Sequence, residues 1–110
     1  MSAEKTLPAG STAMLLLKLL SEKDMYGYEM IEALRERSQN IFELKAGTLY
    51  PLLHQLEKKA YLDAYEKEVS GKVRKYYAIT KEGRRQLEQK EGEWKRYANA
   101  MSRVLRWEVQ

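Results

Sequence analysis

The 110-residue sequence contains no cysteine, a single histidine, two prolines and six glycines. Without cysteine there is no disulfide and no thiolate metal site, which fits a reducing compartment such as the cytoplasm. His54 alone is no ligand cluster, so no zinc site and no cofactor are expected. No phosphate-cradling glycine loop is present, and no nucleophile and base or paired carboxylates fall where the layout would bring them together. An enzyme is therefore not expected. Long apolar runs are missing as well. The longest, Ala13 to Leu17, is stopped by Lys18, far short of the ~20 residues that a membrane span needs. The chain does not open on a basic region followed by an apolar one, so no secretion signal is read and no membrane partner is expected.

What is present fits a soluble folded protein. Hydrophobic residues make up 44% and charged residues 33%, which argues against disorder. The length suits one domain, or a small domain with an appended helix. The net charge is +4, and its placement matters more than its size. Basic and acidic side chains cancel over residues 1–61, and the excess follows them. Lys72, Arg74 and Lys75 form a cluster with no acidic neighbour between Ser70 and Lys81. Such a cluster holds phosphate by direct pairing and counterion release, unless it is only a solvated hairpin tip.

Apolar spacing then divides the chain. Residues 1–10 are a tail with Pro8 and Gly10, and Ser11 or Thr12 is the expected cap of a first helix ending near Glu22. Leu15, Leu16, Leu19 and Leu20 are its core face. A second helix opens at Tyr26-Gly27-Tyr28 and runs to about Ser38, with Ile31 and Leu34 inward. Gln39 to Leu44 is a connection plugged by Ile41 and Phe42. A third helix, from near Lys45, places Leu49, Leu52, Leu53, Leu56 and Ala60 on one stripe, with Pro51, His54, Gln55 and Lys58 roughly opposite. An idle surface helix usually carries Glu/Lys pairs on its outer face, so this outer face suggests contact with a partner. Pro51 costs the helix one hydrogen bond, and an early start requires a mild local bend.

After Ala60 the period changes from helical to alternating. Leu62 to Val69 and Val73 to Thr80, around Ser70-Gly71-Lys72, form an expected hairpin that must lean on the helices. Tyr76 and Tyr77 have opposite facings, so one of them is expected in the core. Thr80 is the expected N-cap and Glu82 a favourable first-turn acid of a last helix reaching about Trp107. That helix would be roughly 40 Å long, too long for so small a domain to cover. Leu87, Trp94 and Met101 recur every seventh residue with Ala98 and Leu105 beside them, an apolar seam that calls for a second copy of the same helix.

Three helices, a hairpin and a long terminal helix describe a mainly α winged helix-turn-helix, over residues 11–80, followed by a dimerisation helix over residues 81–110. In that layout the third helix enters the major groove of duplex DNA, and the hairpin wing reaches the neighbouring backbone or minor groove. A protein-interaction module on the same winged fold is the alternative.

Particular residues carry a resemblance. Tyr26-Gly27-Tyr28-Glu29, then Gly47-Thr48-Leu49-Tyr50-Pro51-Leu52-Leu53 with Leu56-Glu57-Lys58, then Arg74-Lys75-Tyr76-Tyr77 and Thr80-Lys81-Glu82-Gly83, resemble the PadR family of bacterial transcriptional regulators over about residues 7–87. The single last helix looks like the small subfamily, which implies a homodimeric, ligand-responsive repressor binding an operator in double-stranded DNA. Ala60-Tyr61 departs from the pattern, since the family more often has glycine at that helix end. The resemblance places Tyr26 and Tyr28 against the DNA backbone, although hydroxyl-tipped core packing would explain them equally. Thr48 and Tyr50 would meet a phosphate at the start of the third helix. Pro51 and His54 would face the groove beside Gln55, with Lys58 on the same outer face. Lys45, Lys72, Arg74 and Lys75 are phosphate candidates, and Arg74 is the best placed for the minor groove. Trp94 would line a flat cavity between subunits and stack on a planar aromatic effector, unless it only packs the dimer.

Overall fold

The computed structural model describes residues 10–107, so the expected tail lies outside the described residues except for Gly10. The elements run α1 (Ser11–Glu22), β1 (Met25–Tyr26), α2 (Gly27–Arg37), α3 (Ala46–Lys58), β2 (Leu62–Val69), β3 (Lys72–Ile79) and α4 (Lys81–Leu105). Among the described residues no helix is long and apolar enough to cross a membrane.

The core is built from leucines at helical spacing. Leu16, Leu17, Leu19 and Leu20 of α1 meet Met30 and Leu34 of α2 and Leu49, Leu53 and Leu56 of α3. Met25, Leu62 and Tyr77 close it from the sheet, and Leu87 from α4. The inward face of α1 is turned slightly from expectation: Leu17 is fully buried and Leu15 only half-buried. In α2 the deepest residue is Met30, and Ile31 is half-buried. Ile41 does not plug the following connection, being exposed, and Leu44 fills that role.

Capping differs at two places. Gly10, with φ 82°, is the N-cap of α1, and Ser11 is buried with no partner for its hydroxyl. Thr80 caps α4 as expected: its Oγ1 accepts from the Gly83 amide at 3.0 Å and donates to the Ala60 carbonyl at 2.6 Å. Ala60 does not extend the apolar stripe of α3. It is exposed and turns the chain at φ 64°, with its amide bonding Glu57 O and the Tyr61 amide bonding Leu56 O. These paired bonds are the Schellman arrangement that glycine usually completes, here made by alanine at a strain of about 1 kcal/mol.

The sheet is antiparallel with order β1-β3-β2. Ser70 and Gly71 both have positive φ and form a two-residue turn that matches strand twist, so β3 starts at Lys72. β1 has only two residues, pairing Met25 with Tyr77 and Tyr26 with Tyr76. It ties the wing to the start of α2. Both predicted facings of Tyr76 and Tyr77 are found, yet both rings are buried, Tyr77 in the core and Tyr76 under the opposite face. Gly83 is where α4 meets this base, because a Cβ there would sit 2.3 Å from the Tyr61 carbonyl oxygen.

Candidate nucleic-acid interface

α3 carries the exposed face. Its apolar stripe of Leu49, Leu53 and Leu56 is buried, so the remaining positions turn outward by geometry. Lys45, Thr48, Tyr50, Pro51, His54, Gln55 and Lys58 are all exposed. Lys45 is the N-cap, and Pro51 lies inside the helix, in line with an early start. Pro51 has no amide to give the carbonyl one turn back, which belongs to Gly47.

Tyr50 is held by the beginning of α2. Its ring lies over Gly27, where a Cβ would come within 2.3 Å of the phenol oxygen and 2.7 Å of Cζ. The glycine of Tyr26-Gly27-Tyr28 is thus a seat for the tyrosine of α3. Glu29 Oε1 accepts from the Tyr26 amide at 3.1 Å and satisfies the entry to α2. Between α2, α3 and β3 lies an open cleft of about 470 Å³ lined by Tyr26, Gly27, Tyr50, His54, Glu57, Val73, Arg74, Lys75 and Tyr77. Five predicted contact residues, Tyr26, Tyr50, His54, Arg74 and Lys75, converge there. Tyr28 lies outside the cleft, 59% exposed, so core packing does not explain it. Lys72 stands at the wing tip.

Charge in the cleft is positive but not uniform. Arg74 stacks its guanidinium 4.6 Å from the Tyr26 ring centroid. Lys75 lies over Tyr77 and pairs with Glu57 Oε1 at 3.8 Å. Sequence reading missed Glu57 and Gly27. The signal for Glu57 was its spacing, one turn beyond His54 and two beyond Tyr50; the signal for Gly27 was its place inside a tyrosine pair. Among the described residues no group of three or more His, Asp or Glu could hold a metal ion.

The seam on α4 is exposed only in its outer half. Leu87 is buried in the chain's own core, because the first turns of α4 cover α1, so it is not free for a partner or a ligand. Trp94, Met101 and Leu105 are exposed and Ala98 is half-buried. Tyr97, Val104 and Trp107 enlarge the apolar surface beyond the predicted seam. Trp94 and Tyr97 meet edge-to-face with centroids 5.5 Å apart.

A three-helix core, a wing beside an exposed third helix and a long terminal helix define a winged-helix protein. Residues 16–89 match the model of the transcriptional regulator PadR-like family, and the chain belongs to that family. A protein of Lysinibacillus sphaericus is 43% identical over 81 residues, which is 73% of this chain and 74% of that protein. Transcriptional regulator YqjI of Escherichia coli (strain K12) is 32% identical over 73% of this chain, which spans only 37% of that protein. A PadR family transcription regulator from Clostridium difficile R20291 superimposes with a TM-score of 0.78 at 39% identity, over 87% of this chain and 99% of that one.

Proposed function

We propose that the chain is a sequence-specific DNA-binding regulator that acts as a homodimer. α3 lies in the major groove and the wing rests on the backbone or minor groove beside it. The observation that carries this reading is the convergence of Tyr26, Tyr50, His54, Arg74 and Lys75 on one open cleft, beside the exposed stripe of α3. A second copy is called for by the exposed apolar stripe of Trp94, Tyr97, Met101, Val104 and Leu105 on α4, a pattern that single soluble chains seldom leave in water. Two reading heads would then meet half-sites about one helical turn apart.

The regulator is a ligand-responsive repressor in this proposal, with a planar aromatic molecule stacking on Trp94 between subunits. The exposed indole at the inner end of the exposed seam supports it. A gel shift with the gene's own upstream duplex, repeated with rising salt, tests the DNA reading. Binding that falls steeply with salt supports it. No binding to that duplex or to a random one at low salt would favour the protein-interaction module. Tryptophan quenching by a panel of planar cationic dyes tests the effector, and no quenching by any dye refutes it.

A further inference from the structure

The outer face of the wing, away from the core, carries a row of three tyrosines. Tyr26, Tyr76 and Tyr65 come from β1, β3 and β2 and are direct partners across the strands. Tyr65 stacks on Tyr76 with centroids 5.7 Å apart and 17° between planes, and Tyr26 meets Tyr76 edge-on at 5.4 Å. The Tyr65 hydroxyl reaches across the sheet to donate to Asp24 Oδ2 at 2.6 Å. Burial pushes the Tyr76 phenol above its ordinary pKa, and the bond to Asp24 does the same for Tyr65. An isolated hairpin is marginal in water, and this row adds cross-strand ring contacts on the face that the core does not cover.

Two cations sit at the distal edge of the row. Lys67 and Arg74 are direct cross-strand partners. Lys67 Nζ lies 5.2 Å from the Tyr76 centroid, as Arg74 lies over Tyr26. Neither has a carboxylate partner among the described residues. Along the sequence Lys67 stands between Glu66 and Glu68, and its charge looks cancelled. In the strand those carboxylates point to the other face, and Glu66 is paired in register with Lys75. Like charges directly opposite each other weaken a sheet. An anion between them reverses that sign.

We propose that Lys67 and Arg74 form a two-cation clamp for a backbone phosphate of duplex DNA, and that Tyr26 is a positioning residue whose ring aims Arg74. This rests on the DNA-binding reading and adds Lys67 to it. Tyr26 then acts through its face, not its hydroxyl.

The test titrates the gene's upstream duplex against wild type, Lys67→Gln, Arg74→Gln, Tyr26→Phe and Tyr26→Leu at several salt concentrations, with thermal midpoints measured alongside. Lys67→Gln and Arg74→Gln each flatten the plot of log affinity against log salt by about one unit, with thermal midpoints unchanged or raised. Tyr26→Leu loses affinity about two- to fivefold, and Tyr26→Phe, which keeps the ring, rescues it. An unchanged slope for Lys67→Gln overturns the clamp, and Tyr26→Phe binding as poorly as Tyr26→Leu overturns the platform. Tyr26 also opens α2, so if Tyr26→Leu does not fold, the slope of the exposed Lys67→Gln decides the clamp alone. Failure of wild type to bind any duplex overturns the clamp together with the DNA reading, a result distinct from wild-type binding with an unaltered Lys67→Gln slope.

Discussion

Gly27 and Gly83 have the same crowding and opposite expected outcomes when given a methyl group. At each, a Cβ would lie 2.3 Å from an oxygen, against the 3.4 Å where ordinary contact begins. At Gly27 that oxygen ends the side chain of Tyr50, which is 48% exposed and free to swing away by about 1 Å. Folding should survive, because every atom that crowds the added methyl belongs to the movable Tyr50 side chain and none to the backbone. Binding should not survive, because Tyr50 leaves the position from which, under the proposed DNA reading, its hydroxyl would meet a phosphate. A hydrogen bond to a charged group contributes about 1.5–3 kcal/mol, so Gly27→Ala should weaken operator binding roughly ten- to hundredfold per half-site. At Gly83 the oxygen is the Tyr61 backbone carbonyl, with Ile79 Cγ1 at 2.8 Å, and neither can retreat without moving the wing base. Gly83→Ala should therefore lose about 1–3 kcal/mol of stability, at roughly 4–8 °C of melting temperature per kcal/mol. Fluorescence anisotropy with a labelled upstream duplex and thermal melts by circular dichroism separate the two effects. Gly27→Ala binding at wild-type strength, or melting as early as Gly83→Ala, would refute the assignment of Gly27 as the seat of Tyr50.

Three further outcomes are expected. Ala60→Gly relieves the left-handed strain at the end of α3, less the added freedom of the unfolded chain, for a gain of about 0.5–1 kcal/mol in urea unfolding; a loss would show that the alanine methyl makes a needed contact. Met101→Glu, in the middle of the exposed seam, should convert the proposed dimer to monomer by analytical ultracentrifugation while leaving the monomer's helix content unchanged, and a persisting dimer would place the interface elsewhere. The bond to Asp24 holds the Tyr65 phenol above its ordinary pKa. The neutral form is the donor, so its contribution to stability is present below about pH 10 and lost as pH rises through the raised folded value. Tyr65→Phe should remove one late-titrating phenol from the tyrosinate absorbance, and loss of a phenol that titrates at the ordinary value instead would contradict the bond.

The exposed seam and the cleft differ in how they could be foreseen. Along one helix, period alone assigns faces, so Trp94, Met101 and Leu105 were legible on α4 and the exposed stripe was legible on α3. Period does not say where a helix leaves its own domain, and Leu87, on the same seam, proved to be core. Nor does it tell which alanine continues a helix and which ends it: Ala60 fits the stripe by spacing but turns left-handed, because the bonds that close α3 need that geometry. β1 has no periodicity to detect, since two residues become a strand only when β3 is there to pair with them. Gly27 and Gly83 are explained only by atoms distant in the chain.

From the sequence alone follow the class of fold, the order of its helices and hairpin, the turn and cap chemistry at Gly71 and Thr80, and the residue types on the outer face of α3. Each is a local matter of period, propensity or short-range hydrogen bonding. The tertiary structure decided which of those residues share a surface. It brought Tyr50 onto Gly27, joined three tyrosines from three strands, and set Lys67 opposite Arg74 with its neighbouring glutamates turned away. Those are pairings across the chain, and the physical reason they escape the sequence is that register and packing are settled by burying one face of every element at once.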